Sequence, residues 1–386
     1  MTWVLIVVAV ILVMLGTLVR LLRSRAAHLW LPGYLSRRRV LRRLKPKPPV
    51  HVFFLMVDHF EPGVGGADGE TRRRRVRAYT EHLAEAVGDF RDADGRPPVQ
   101  TMFYPVEEYE PELLAALEPL AAKRLVEVEV HLHHDNDTAE NLRRTLDRAK
   151  ELYRSHGFLS RMRDQDGIRF GFIHGNWALD NSRPDGRWCG VNNELTVLRE
   201  CGCYADFTFP SAPSPTQPRT VNSIYYATDD PRLPRSHDFG TPVRVGGRAQ
   251  GDLLIIQGPL CPNWSRRKMG LLPRLENAEI AENNPPTPER VDLWVRQHVH
   301  VQGRPEWVFV KVHAHGARED SARVLLGESR RRLHEDLERR YNDGTRYVLH
   351  YVSAREAYNL VKAAEAGRTG NPNEYRDFVL VPLRQS

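Results

Sequence analysis

Cysteine is scarce in this chain. The four present in 386 residues, Cys189, Cys201, Cys203 and Cys261, do not make a disulfide framework in a protein of this size. Cys201-Gly-Cys203 lacks the two-residue spacing of a zinc knuckle or a redox pair, so all four are read as free thiols. Glycines occur at Gly63-Val-Gly-Gly66, but without the following Lys-Ser/Thr or the dinucleotide spacing, which excludes the common nucleotide-binding loops. No Gly-x-Ser-x-Gly is present, which argues against a serine hydrolase. No internal repeat is visible.

What is present describes an ordinary globular protein with a buried core: 41% hydrophobic and 27% charged residues. The length suits one large α/β domain with appendages, or two small domains. The net charge of +7 is unevenly spread. Trp3 to Val19 is an almost unbroken apolar run that, with Leu21 and Leu22, approaches the length of a bilayer span. A cleaved signal peptide would need a basic start and a small-residue cleavage site, and neither stands out. Arg20, Arg23, Arg25, Arg37, Arg38, Arg39, Arg42, Arg43, Lys45 and Lys47 follow. The positive-inside rule places this flank in the cytoplasm and the amino terminus outside, with anionic lipid as the nearest polyanion and no nucleic acid expected. The expected division is a transmembrane anchor over 1–24, a basic juxtamembrane segment ending in the stiff Lys45-Pro-Lys-Pro-Pro49 linker over 25–49, and a body over 50–386.

Within the body, apolar β-rich runs alternate with amphipathic helical patterns. Strands are expected near 52–57, 99–104, 125–132, 168–173, 204–209, 253–257, 307–313 and 346–351. Helices are expected near 70–87, 111–122, 138–156, 193–200, 287–298, 318–340 and 353–366. This alternation predicts a parallel sheet with helices outside, closed or nearly closed as a barrel. A Pro-, Ser- and Arg-rich stretch at about 210–251 breaks the pattern and reads as an ordered insertion over the top of the sheet.

The chemistry collects at strand ends. Val128 to Asp137 reads as a strand finishing in His131, His133, His134, Asp135 and Asp137. Side chains at i and i+2 share a face, so His131 and His133 converge, with Asp135 available where the strand turns. Imidazole and carboxylate together suit zinc or a similar divalent ion, whereas helix capping by Asp137 or Thr138 would need no histidines. Asp58-His59 and Glu61 follow a fully apolar strand. Carboxylates directly after such a strand favour a chemical role over structural filler, with a turn beginning at Asp58 or Glu61 before Gly63 as the lesser reading. In Trp307–Gly316, Lys311, His313 and His315 share one face, and either histidine suits a general acid. His174-Gly-Asn176-Trp177 places a polar and aromatic patch after another apolar run, suited to substrate contact, though a buried core tryptophan is an equal reading. Asn192 or Asn193 reads as either an N-cap or a substrate contact.

These pieces, in this order over about 50–366, resemble the polysaccharide deacetylase family, the NodB-type carbohydrate esterases. The resemblance is one of motif order, and three motifs are altered. It implies a distorted (β/α) barrel that removes acyl groups from N-acetylated sugars with a divalent metal, zinc foremost. It implies Asp58 as base and His313 or His315 as general acid. His59 stands where the family has a ligand aspartate, His131 is a ligand, and either Asp135 or His133 completes the set. His174, Asn176 and Trp177 occupy the place of an arginine motif and are expected to meet substrate. The expectation is therefore a single-pass membrane protein with a cytoplasmic metal-dependent hydrolase body, acting on an acylated glycan or lipid-linked saccharide. A glycoside hydrolase using Asp58 or Glu61 with a second carboxylate is the alternative enzyme, and a non-catalytic glycan-binding component is the alternative outside enzymes.

Overall fold

The computed structural model describes residues 2–384. Two helices lead the chain, α1 (Thr2–Ser24) and α2 (Ala27–Leu41). The body continues through β1 (Val50–His59), α3 (Gly69–Val87), β2 (Gln100–Pro105), α4 (Pro111–Ala115), α5 (Glu118–Ala122), β3 (Val126–Leu132), α6 (Ala139–Ser155), β4 (Ser160–Met162), β5 (Ile168–His174), α7 (Glu194–Glu200) and β6 (Cys203–Asp206). Next come β7 (Ile224–Ala227), β8 (Thr241–Pro242), β9 (Leu253–Ile256), β10 (Cys261–Lys268), β11 (Leu272–Glu276), β12 (Glu279–Ile280), α8 (Pro288–Arg296) and β13 (Trp307–Ala314). The last elements are α9 (Glu319–Leu325), α10 (Glu328–Tyr341), β14 (Tyr347–Tyr351), α11 (Ala354–Glu365) and β15 (Leu380–Pro382).

The result is a mixed α/β protein on one large, mostly parallel sheet. Its main path is β12-β13-β1-β2-β3-β5-β6-β9-β7-β8. Strand β1 is its axis. It pairs in parallel with β13 from His51 to Asp58, and on its other side with β14 over Val50–Phe54 and then β2 over Met56–His59. A strand flanked on both sides and both faces must be apolar throughout, and Val-Phe-Phe-Leu-Met-Val over 52–57 meets that demand.

Alternation along β1 divides the core. Phe53, Leu55 and Val57 pack with Phe103, Ile173, Phe207, Ile256 and Leu360, residues of strands spread across the sheet and of α11. Val52, Phe54 and Met56 pack on the opposite face with Val308, Val310, Val312 and Trp294. The same parity continues past the apolar run, putting His59 on the first face and Asp58 on the second.

The eight expected strands all form, with ends shifted by a few residues. Two expected helices are broken. The 111–122 stretch becomes α4 and α5, and the 318–340 stretch is interrupted where Gly327 adopts extended geometry ahead of α10. The 210–251 stretch does more than cover the sheet: Ile224–Ala227 enters it as β7, antiparallel to β9, as its β-branched and aromatic residues favour. Within the basic flank, α2 is a docked helix whose Ala27, Trp30 and Tyr34 pack on Val221, Leu260 and Cys261. The β10–β11 hairpin runs alongside, with Arg25 Nη1 donating to Pro273 O at 2.8 Å. Trp3–Ser24 is long and apolar enough to cross a membrane, with none of its apolar window buried, a property that signal sequences share.

The carboxyl-terminal segment is fastened to the sheet by Arg376. Its guanidinium is buried and donates to Asp92 Oδ2 at 3.0 Å, Asp94 Oδ2 at 2.8 Å, Glu356 Oε2 at 3.0 Å and Tyr351 O at 2.7 Å. Removing one partner of a buried ion network strands the others without a counter-charge. Arg376→Met is expected to lower unfolding stability by roughly 3–5 kcal/mol, measured by denaturant titration.

Candidate metal centre at the strand ends

The site is built where β1, β3 and β13 end. Beyond β1 the chain turns at Phe60, whose amide donates to Phe103 O at 3.0 Å, and Glu61 follows two residues after His59. Glu61 is buried, and histidines from all three strand ends converge on its carboxylate. His131 Nε2 lies 2.9 Å, His133 Nε2 3.4 Å and His59 Nδ1 3.8 Å from Oε1, while His315 Nδ1 lies 3.9 Å from Oε2. The imidazoles also contact one another: His59 stacks at an angle on His315 with ring centroids 4.5 Å apart, and meets His131 edge-on at 4.8 Å.

Neighbouring groups fix how each ring faces. Nδ1–H of His131 donates to Ile173 O at 2.9 Å, which directs Nε2 at Glu61. The ring of His133 is held by Glu107, whose Oε1 is 2.5 Å from Nδ1 and also accepts the His133 amide at 3.0 Å. Gly175 makes room for that ring, since a Cβ there would overlap the imidazole. His59 Nδ1 is buried with no hydrogen-bond partner. The indole of Trp177 roofs the group, 6.0 Å from the His315 ring and 6.4 Å from that of His59.

The electrostatics follow from burial against the one carboxylate. Burial raises the Glu61 carboxyl, but the hydrogen bond with His131 and the facing imidazoles of His133 and His315 outweigh it and hold it far below the usual range. Burial and the neighbouring imidazoles of His315 and His131 keep His59 well below its ordinary value, so it is neutral. Burial also lowers His131, against the opposing pull of Glu61. Burial acts the same way on His133, but Glu107 and Glu61 overcome it and lift the group to about 10. His315 is likewise raised, because its bond to Glu61 prevails over burial.

The other expected site residues lie elsewhere around this centre. Asp58, on the opposite face of β1, is fully buried and already engaged: it accepts from Gln100 Nε2 at 2.6 Å and from the Gly316 amide at 2.5 Å. Burial raises its carboxyl to about 6, although both hydrogen bonds oppose the shift. His313 is buried one pleat before His315, beside Lys311, whose ammonium reaches Phe207 O. Asp135 is exposed and accepts from the amides of Asn136 and Trp188, away from Glu61. His174 is fully buried in a neighbouring cluster, and Asn176 and Trp177 are half-buried after it.

Glu61 and Glu107 were not expected in these places. The i, i+2 rule that groups His131 with His133 also groups His59 with Glu61, so a signal for Glu61 existed. Glu107 had none, because its partner is distant in sequence.

No family model and no curated protein matches the chain. Among the described residues, His59, Glu61 and His131 offer ligand atoms all within 4.8 Å of one another, and all three are buried. Neutral imidazole lone pairs and a carboxylate aimed at one point, with the orphaned Nδ1 of His59 among them, fit a divalent cation of zinc type.

Two outcomes test this geometry. Gly316 admits no side chain, because a Cβ would overlap the Asp58 carboxylate and the Tyr79 hydroxyl. Gly316→Ala is expected to cost about 1–3 kcal/mol in thermal unfolding. His133 has a folded pKa above its ordinary 6.5, so its stabilising contribution is full below about pH 6.5 and is lost as pH rises through about 10. In chelator-treated protein, Glu107→Gln should move the His133 titration, followed by NMR, to lower pH.

Proposed function

We propose that this protein is a metal-dependent hydrolase of the polysaccharide deacetylase type, removing acyl groups from an acylated, chiefly N-acetylated, glycan. The observation that carries the reading is the convergence of His59, His131, His133 and His315 on the buried Glu61 carboxylate at the ends of parallel strands. In this reading the sheet is a distorted, incompletely closed (β/α) barrel, in keeping with the single core cluster that residues of β1, β2, β5, β6, β7, β9 and β13 share. The α1 helix is a membrane anchor with the body on the cytoplasmic side, which suits a lipid-linked saccharide presented at the bilayer surface.

Glu61, His59 and His131 would hold the metal ion, with His133 on the more exposed side. A divalent ion there supplies positive charge that polarises an acyl carbonyl and eases loss of a proton from water. Glu107 keeps the His133 ring turned inward, and Ile173 O does the same for His131. His315 sits beside Glu61, placed to take the proton given up by the attacking water and to pass it to the leaving amine. Asp58 acts through the backbone: by holding the Gly316 amide it fixes the turn that presents His315, which makes it a positioning residue. Trp177 provides an apolar wall over the same group, suited to the face of a sugar ring.

The test uses the full chain in detergent. Elemental analysis should find metal in stoichiometric amount, and acetate should be released from N-acetylated oligosaccharides. His131→Ala should lose the metal of this site and lower turnover by at least about 10²-fold. Absence of stoichiometric metal in the parent protein rejects the mechanism, and release of reducing sugar without acetate redirects it to glycoside cleavage.

A further inference from the structure

A second constellation lies next to the first and takes no part in the chemistry above. His134 follows β3, His174 ends β5, Cys189 lies in the loop between β5 and α7, and Glu194 opens α7. Their donor atoms all lie within 4.8 Å of one another. His134 Nε2 is 3.2 Å and His174 Nε2 3.9 Å from Glu194 Oε1, and Cys189 Sγ is 3.3 Å from Glu194 Oε2. We propose that these four side chains bind a structural transition-metal ion of zinc type, separate from the Glu61 site, that ties the 175–193 loop to β3 and β5.

Three features point to a ligand. His174 is fully buried and its Nε2, aimed into the cluster, has no hydrogen-bond partner. A buried ring nitrogen left this way costs free energy that a coordinate bond would recover. His134 is oriented from behind: its Nδ1 meets Asp137 Oδ2 at 3.0 Å, and Asp137 Oδ1 is itself held at 2.7 Å by Thr138 N and at 2.7 Å by Asn141 Nδ2. That carboxylate–imidazole pair fixes the ring with Nε2 facing inward, as outer partners do for metal-bound histidines; burial lowers the ring's pKa but Asp137 and Glu194 lift it to about 9, so coordination would displace the Nε2 proton now shared with Glu194. Cys189 Sγ, finally, faces into the cluster, accepting the amides of Asn181 at 3.3 Å and Val191 at 3.4 Å and donating to Glu194 Oε2 at 3.3 Å; burial and the Glu194 charge hold the thiol far above its ordinary value, so an ion bound here would displace that proton.

The donor chemistry selects the ion. One thiolate, two imidazoles and one carboxylate form a four-membered set suited to tetrahedral zinc and poorly suited to calcium or magnesium. Ligand atoms about 3.3–3.8 Å apart are what bonds of about 2.0–2.3 Å around a tetrahedral ion produce; the three spacings to Glu194 lie close to that range, and the remaining pairs, within 4.8 Å, would close up on ligation. Ligation by His174 Nε2 puts that ring's proton on Nδ1, giving up a long 3.3 Å contact from the Asn176 amide. The site is closed: His134 has a side-chain exposure of 6% and Glu194 of 0%. A closed four-ligand set is structural rather than catalytic. The remaining candidate among the described residues, Asp92, Asp94 and His350, already has its cation, because Arg376 lies on both aspartates.

Cobalt(II) substitution provides the test, since the Glu61 group has no cysteine. The full chain, purified in detergent with a non-thiol reductant, is stripped of metal and titrated with cobalt(II). The expected result is a near-ultraviolet thiolate-to-cobalt charge-transfer band that reports one bound equivalent, is complete within two because the Glu61 group takes the other, and disappears in Cys189→Ala but persists in Cys201→Ala. If Cys189→Ala does not fold, Cys189→Asp keeps an anionic ligand and should bind the same equivalent without the band. A parent protein lacking the band at saturating cobalt, or a Cys189 variant that retains it, overturns the proposal.

Discussion

A carboxylate removed from water must be matched by donors or by positive charge, and in this protein Glu61 meets that demand with imidazoles from three separate strand ends. Much of the architecture serves that convergence. The β1 strand, paired on both edges and apolar on both faces, carries His59 and then Glu61 out of the sheet at a fixed height. Its registers with β13 and β2 set where His315 and the β3 histidines arrive. Hydrogen bonds accepted by Ile173 O, Glu107 and Asp58 then settle ring orientation and turn geometry behind the histidines. None of these outer contacts would matter if the strands slid by one residue, because parity would turn every histidine to the other face.

Most of the sheet was legible in the sequence because period-two apolar runs bounded by polar residues are a strong local signal. The parts that escaped depend on distant partners. Helix α2 lies in a stretch rich in arginine, and only its packing on Val221, Leu260 and Cys261 reveals that Trp30 and Tyr34 are buried. The Ile224–Ala227 strand sits in a Pro- and Ser-rich segment whose composition masks it, and it is held by pairing to β9. The break before α10 follows from one glycine inside an otherwise continuous helical pattern.

The candidate site divides in the same way. His59, His131, His133 and His315 could be picked out because each ends an apolar strand. The Glu61 carboxylate between them was weighed as a turn residue or a glycoside-cleaving acid; its spacing from His59 is a local signal, but the three imidazoles from β3 and β13 that complete its surroundings are distant in sequence. Asp58 attracted attention for its position after the strand, yet alternation sends it to the face where Gln100 and Gly316 hold it. The cysteines gave a still weaker signal. Cys189 has no neighbouring cysteine at a ligand spacing, and its companions come from positions 134, 174 and 194.

His133 and His134 are consecutive in the chain, yet one faces Glu61 and the other Glu194. Along the chain, a single peptide unit therefore divides the two polar chambers that these carboxylates mark. Its length has no slack: an inserted or deleted residue would deliver each imidazole to the wrong chamber. Over evolutionary time the composition of nearby loops can drift while this dipeptide keeps its length, so alignment gaps in divergent copies of the chain should fall on either side of it and never within it.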